Sequence, residues 1–194
     1  MTFDVETTPL GSDEVADLAA LFGAHRTTSR CWCMAFCVGG GRFAVGWLTG
    51  GNRRGFEAMA SNGVMGVLAS VAGKPVGWCA CGPRSRYTGA IGGRSRLLRD
   101  RPRSEDDSVW LLACLFVADG HRGAGITATL VRAAVELARS EGASAVEGWP
   151  LARSVGPSAD AFLGREEVFA GLGFDCVARP TAERAVMRLE LDGG

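Results

Sequence analysis

The stretch Val117-Ala118-Asp119-Gly120-His121-Arg122-Gly123-Ala124-Gly125-Ile126-Thr127 decides the fold, because it joins two segments of different periodicity. Before it, Ser108 to Val117 (SVWLLACLFV) is almost continuously apolar, as a strand buried on both faces should be. After it, Gly123 to Ser140 places Ile126, Leu130, Val131, Ala134, Leu137 and Ala138 at three- and four-residue spacing, the pattern of an amphipathic helix, and Gly142 stops that helix. A glycine-rich turn from buried strand to helix leaves several backbone N–H groups unpaired and directed outward. The helix dipole adds partial positive charge there. Such a turn suits a pyrophosphate. Gly123 and Gly125 let the backbone approach it closely, Arg122 adds a charge partner and Thr127 a hydroxyl donor. The run lacks the Gly-Lys-Ser/Thr ending of an NTPase loop, and Ala128 stands where the third glycine of a dinucleotide fingerprint would be. From the turn alone, a connector that binds nothing remains the alternative.

Working outward, Thr2 to Thr7 alternates apolar and polar residues and reads as a first strand. Ser12 is a candidate N-cap for a helix to about Ala24, with Val15, Leu18, Ala19, Leu21 and Phe22 on one face. Residues 25–42 read as irregular, and Asn52 to Ser61 as helical. Val64 to Val71 and Pro75 to Cys81 form an antiparallel hairpin around Ala72-Gly73-Lys74-Pro75. Beyond the central helix, Ala145 to Trp149 is a short strand, Arg165 to Gly171 a short helix, and Phe174 to Ala178 and Ala185 to Leu191 the closing strands. The order β-α-α-β-β-β-α-β-α-β-β predicts an α/β mixed sheet with helices on both faces.

The 194 residues fit one domain, 1–194, and 47% of them are hydrophobic, enough to bury a core. Acidic and basic residues balance at 21 each, so no global charge draws the chain to nucleic acid or an anionic membrane. No apolar run approaches the ~20 residues that span a bilayer. The N-terminus lacks a basic region followed by an apolar core, so the expectation is a cytoplasmic protein. Seven cysteines, an odd number with no export signal, read as free thiols.

Cys31-Trp32-Cys33-Met34-Ala35-Phe36-Cys37 is the densest cluster of special residues. Zinc there, with Cys79 and Cys81 joining, is disfavoured because Cys-x-Cys closes a tetrahedral site poorly and no histidine pairs with it; no metal is expected. From Arg84 to Arg103 seven arginines (84, 86, 94, 96, 99, 101, 103) face Asp100, a net +6 that Glu105, Asp106 and Asp107 reduce to +3. A solvated loop is one reading of this window. Contact with a ligand phosphate, an acidic acceptor or RNA are the others, with nucleic acid the weakest because only Tyr87 interleaves. His25 and His121 are lone histidines, a pattern more typical of structural or solvent-facing positions.

Arg122-Gly123-Ala124-Gly125-Ile126-Thr127 after Phe116-Val117-Ala118-Asp119-Gly120-His121 resembles the acetyl-CoA motif Q/R-x-x-G-x-G/A of the GNAT superfamily. Arg122 takes its first position, Gly125 its middle one, and Thr127 replaces the last small residue. Cys31 to Met34, Pro75 to Cys79, Gly82 to Arg84, Glu147 to Pro150 and Phe169 to Phe174 resemble, in order, stretches of one bacterial branch of that superfamily. The resemblance covers nearly the whole chain. It implies a GNAT fold: a twisted, mostly antiparallel sheet flanked by helices and splayed at the acetyl-CoA slot. It implies acyl transfer from acetyl-CoA, as cosubstrate, to a small-molecule or peptide amine, without a membrane partner. A catalytically weak CoA-binding sensor or interaction module of the same fold is the alternative, and a homodimer is an open option.

Carried over by position, backbone groups of Leu115, Phe116 and Val117 would meet the acetyl carbonyl and pantetheine arm. Arg122, Gly123, Ala124, Gly125, Ile126 and Thr127 would hold the pyrophosphate. An amine of pKa near 10 needs a base before it attacks, and the tetrahedral oxyanion needs a donor. Glu147, between apolar neighbours on a strand, is the candidate base, acting through a water, with a structural carboxylate bonded to backbone or arginine as the equal alternative; the N–H near Phe116 is the candidate oxyanion donor. The tyrosine that many such enzymes use as an acid is Phe169 here, so that position reads as packing against the pantetheine or the core. Trp32, Phe36 and Arg84 are candidate acceptor contacts.

Overall fold

Strand β4 (Val109–Val117) is the centre of the molecule, buried from Val109 through Phe116. The computed structural model describes residues 4–92, 98, 100–152 and 162–191. Around β4 lie β1 (Val5–Leu10), β2 (Gly66–Val71), β3 (Lys74–Pro83), β5 (Ala145–Gly148), β6 (Asp175–Thr181) and β7 (Arg184–Glu190). They form one seven-stranded sheet in the order β1-β2-β3-β4-β5-β7-β6. Every pairing is antiparallel except β4 with β5. The helices are α1 (Val15–Gly23), α2 (Thr28–Cys31), α3 (Met34–Cys37), α4 (Gly40–Thr49), α5 (Gly51–Ala60), α6 (Thr88–Ile91), α7 (Ile126–Ser140) and α8 (Glu166–Ala170).

Two apolar layers sandwich the sheet, which is the mixed α/β architecture expected. On one face Leu18, Leu21 and Phe22 of α1 meet Leu68, Trp78, Leu111 and Phe116, with Trp32 and Phe56 behind them. On the other, Ile126, Leu130, Val131, Ala134 and Ala138 of α7 meet Val67, Cys79, Leu112, Leu115 and Val146. Gly77 of β3 allows the close approach of α7, since a Cβ there would stand 3.1 Å from both Ile126 and Leu130.

Several boundaries differ from the sequence reading. The first strand is Val5–Leu10, running three residues past the expected end at Thr7, while residues 2 and 3 of the expected span lie outside the described residues; α1 starts at Val15 with no side-chain cap, and Glu14 accepts the Gly11 N–H at 2.8 Å. The hairpin turn is tighter than expected: Val71 pairs with Lys74, and Ala72 (φ 49°) and Gly73 (φ 72°) both take the positive φ that a two-residue hairpin turn favours. Residues 25–42, expected to be irregular, contain α2, α3 and the start of α4. Trp32 (φ 49°) and Cys33 (φ 55°) separate the first two by sitting in the left-handed region.

Leu130 is fully buried and joins α7 to β3. Leu130→Ala should lower unfolding free energy by about 2–5 kcal/mol in a denaturant titration.

Candidate active site

Pairing between β4 and β5 is short. It runs from Val109↔Ala145 to Leu112↔Gly148 and then stops. Beyond Leu112, β4 continues for five residues with β3 on one side and no strand of the described residues on the other. The sheet therefore opens into a V whose apex is Leu112 and Gly148. Two features widen it. The β3–β4 register shifts between Ala80 and Cys81, which leaves Ala113 as an extra residue on β4. Phe169, fully buried, occupies the space beside Gly148, where a Cβ would stand 2.4 Å from its ring. The same ring borders Gly164, and so does Leu115. Phe169 thus stands as a wedge at the root of the V, with Phe174 at 5.1 Å edge to face.

The register tells which backbone groups line the open side. Ala118 N–H donates to Val76 C=O at 2.9 Å, and Trp78 stands opposite Phe116. Peptide groups alternate sides along an antiparallel strand, so those of Phe116 turn to β3. Those of Leu115 and Val117 turn to the open edge. Phe116 instead contributes its ring, on the α1 face.

At the tip of β4 the chain enters the glycine turn. Arg122 Nε donates to Val117 C=O at 3.2 Å and its guanidinium pairs with Asp119 at 2.9 Å, so the exposed arginine ties the turn to the strand end. Gly123 (φ 76°) and Gly125 (φ 80°) are both left-handed, and a Cβ on either would meet nothing within 4 Å. Among the described residues no backbone carbonyl accepts from the amides of Gly123 through Thr127, and Gly125, the N-cap of α7, supplies no side-chain cap. Open space, free amides and a helix N-terminus at one point form a cradle that fits a pyrophosphate. Thr127 is half-buried in the first turn of α7, and Ile126 points into the core.

Glu147 is not at the open edge. It is 4% exposed, and both its oxygens lie 3.1–3.3 Å from Arg84, with Arg188 at 3.2 Å. Arg84 has no exposed surface and also meets Asp106 at 3.2 Å and Glu105 at 3.4 Å. Arg188 reaches Glu105 at 2.8 Å. A hydrogen bond from Arg188, and then the nearby guanidinium charges, hold Glu105 below the usual carboxylate range. Among the described arginines of this window, Arg103 is exposed, whereas Arg101 pairs with Asp106 at 2.7 Å and Arg86 donates to Cys81 C=O at 2.9 Å. Arg94, Arg96 and Arg99 lie outside the described residues.

Of the expected acceptor contacts, Trp32 is buried against Phe22 and Phe56, and Arg53 lies over its ring at 5.3 Å. Phe36 is half-buried and packs on Trp149, the residue after β5. Burial pushes the thiols of Cys31 and Cys37 up to about 12, and a hydrogen bond with Cys114 followed by burial raises that of Cys33, so all three are protonated near neutrality. Among the described residues no group of three or more His, Cys, Asp or Glu is placed to hold a metal ion. What the sequence reading missed is His25, whose ring stands 5.4 Å from that of Phe116 at a cavity of about 450 Å³.

The acetyltransferase (GNAT) family model matches residues 32–154. No curated protein matches the chain by sequence. Among solved structures, YncA of Salmonella typhimurium with its cofactor acetyl-CoA is similar at TM-score 0.54 and 12% identity, over 97% of this chain and 94% of that one. The PaiA N-acetyltransferase of Thermoplasma acidophilum in complex with coenzyme A gives TM-score 0.54 and 10% identity, over 97% and 99%. The ribosomal-protein-alanine N-acetyltransferase of Brucella melitensis gives TM-score 0.50 and 18% identity, over 96% and 99%.

Glu147→Gln should destabilise the fold by about 3–5 kcal/mol, read in a denaturant titration, because it leaves Arg84 buried with a weakened partner. The Glu105 carboxylate adds a pH term. Its folded pKa is depressed, so its contribution is present above the unfolded value of about 4.3 and is lost as pH falls through the lower folded one; thermal melts should decline there.

Proposed function

The chain belongs to the acetyltransferase (GNAT) family, and on that premise we propose that it transfers an acetyl group from acetyl-CoA to an amine by direct attack at the β4–β5 opening. One observation carries the reading: among the described residues, the edge of β4 beyond Leu112 has no strand partner and runs straight into a glycine turn whose amides are unpaired and whose approach is open. Acetyl-CoA supplies the acyl group as a thioester. Gly123, Ala124, Gly125, Ile126 and Thr127 hold the pyrophosphate with their amides, with Arg122 beside it. Leu115 and Val117 face the pantetheine arm, and one of their edge N–H groups, rather than that of Phe116, donates to the oxyanion. A coenzyme A thiolate leaves without obligatory acid help, since its pKa resembles that of cysteine. The buried wedge of Phe169 in place of a hydroxyl is compatible with this.

Glu147 takes the structural of its two roles in this reading. Its carboxylate binds two guanidiniums at the apex of the V, away from the edge where an amine would attack. Arg84 is its partner rather than an acceptor contact. The described residues share one sheet and both covering layers, which supports residues 1–194 as a single catalytic domain. The acceptor is read as a small-molecule or peptide amine, in keeping with the alanine-modifying activity named for the Brucella melitensis protein.

Acetyl-CoA at 1 mM should raise the melting temperature by several degrees, since a ligand of the native state stabilises it. Gly125→Glu should abolish the shift by placing a carboxylate where phosphate sits. Gly125→Asn, which tolerates the left-handed backbone, should retain part of it. An unchanged melt of the parent protein contradicts the proposal.

A further inference from the structure

The cavity at the tip of β4 holds an imidazole, a side chain suited to moving a proton near neutrality. It lies on the α1 face, is about 450 Å³, and is lined by Leu21, Ala24, His25, Phe116, Ala118 and Asp119 among others. It meets β4 at Phe116 and the chain just beyond it at Ala118, next in sequence to Leu115 and Val117, whose N–H groups turn to the open edge. His25 follows α1, and its backbone is fixed: its N–H donates to Phe22 C=O at 3.1 Å, and its C=O accepts from Ser29 N–H at 3.0 Å and the Thr28 hydroxyl at 3.2 Å. Two aromatic edges hold its ring, Phe116 at 5.4 Å and Phe162 at 5.9 Å. The ring is placed as firmly as a catalytic group needs. Its nitrogens, however, are uncommitted. Nδ1 is shut from solvent without a partner, and neither nitrogen has a hydrogen bond among the described residues.

A half-buried imidazole held between two rings, with its Nδ1 buried and unpartnered among the described residues, is poorly explained by folding, because a buried polar atom without a partner costs stability. We propose that His25 is the general base of the reaction and that this cavity admits the acceptor amine. This rests on the acetyl-transfer reading. Imidazole is the side-chain type that exchanges protons near neutrality. Glu147, the other candidate, is saturated by Arg84 and Arg188. The charged groups facing the ring across the cavity are Asp119, itself paired with Arg122, and Lys74 at the start of β3; Arg26 is its neighbour in sequence. Asp119 is the anionic wall that a cationic amine passes on entry.

The step balances as follows. His25 takes one proton from the ammonium and becomes imidazolium. The freed nitrogen lone pair forms the C–N bond to the thioester carbon, whose carbonyl pair moves to oxygen under the edge N–H. Collapse breaks the C–S bond, the pair going to sulfur, and the thiolate takes the second nitrogen proton. His25 returns its proton to solvent.

The test uses the full chain with acetyl-CoA and three amine probes: spermidine, an aminoglycoside and a short peptide with an N-terminal alanine. Thiol release is followed from pH 6 to pH 10, beside acetyl-CoA melts of the same samples. His25→Gln should keep the acetyl-CoA melting shift of the parent, yet lose about 10²–10⁴-fold in kcat/KM at pH 7. The loss should shrink as pH nears the amine's own pKa. Ala24→Trp, which fills the cavity, should raise KM with the melting shift intact. A His25→Gln variant with the parent pH profile overturns the proposal, as does one that loses the melting shift together with activity. A parent that binds acetyl-CoA but turns over no probe overturns it too. A parent with no melting shift at all instead defeats the acetyl-transfer reading beneath it.

Discussion

Glu147 sits where four segments meet, and the geometry of the open edge depends on its ion pairs. It lies on β5 opposite Leu111 of β4 and Arg188 of β7, and Arg84 reaches it from just beyond β3. One residue later, at Gly148, pairing with β4 ends. The cluster of Arg84, Glu147, Arg188, Glu105 and Asp106 therefore clamps the closed half of the V. A buried carboxylate needs such compensation, since an isolated charge in a core costs several kcal/mol. Here the guanidiniums supply it and in the same stroke fix how far β5 follows β4. The wedge of Phe169, the extra residue Ala113 and the missing Cβ of Gly148 then set where the strands part.

From that apex, the two functional ends of β4 follow. Its edge leaves Leu115 and Val117 without a strand partner on that side among the described residues, a state that costs nothing only if water or a ligand fills it. Its tip passes into left-handed glycines and the positive end of α7. The α7 face of the sheet is closed by Leu115, Ile126 and Phe169, whereas the α1 face keeps a cavity beside Phe116 and His25. An acyl donor laid along the edge would thus meet an acceptor from the α1 side.

The parts of this account that rest on neighbours in sequence could be read from the sequence. The apolar run of β4, the period of α7 and the glycines between them give strand, turn and helix within a few residues of their true limits. Features that rest on distant partners could not. Arg84 and Glu147 are 63 positions apart, so the sequence left the arginine window open between a solvated loop and ligand contact, whereas its first member is wholly buried against Glu147. Which peptide groups of β4 face outward depends on register with β3, which turns those of Leu115 and Val117, rather than those of Phe116, to the open side. His25 looked like any lone histidine, because only folding brings it against Phe116. The α2–α3 corner turns on positive φ at Trp32 and Cys33, residue types that rarely adopt it.

The central claim is that the unpaired edge and the glycine turn together receive the acyl donor. Amide hydrogen exchange with and without acetyl-CoA measures this directly, since each segment reports its own protection. The account predicts that acetyl-CoA slows exchange in residues 113–117 and 122–128, while β1 and β2 are unaffected. Protection confined to other segments, or none at β4, would contradict it.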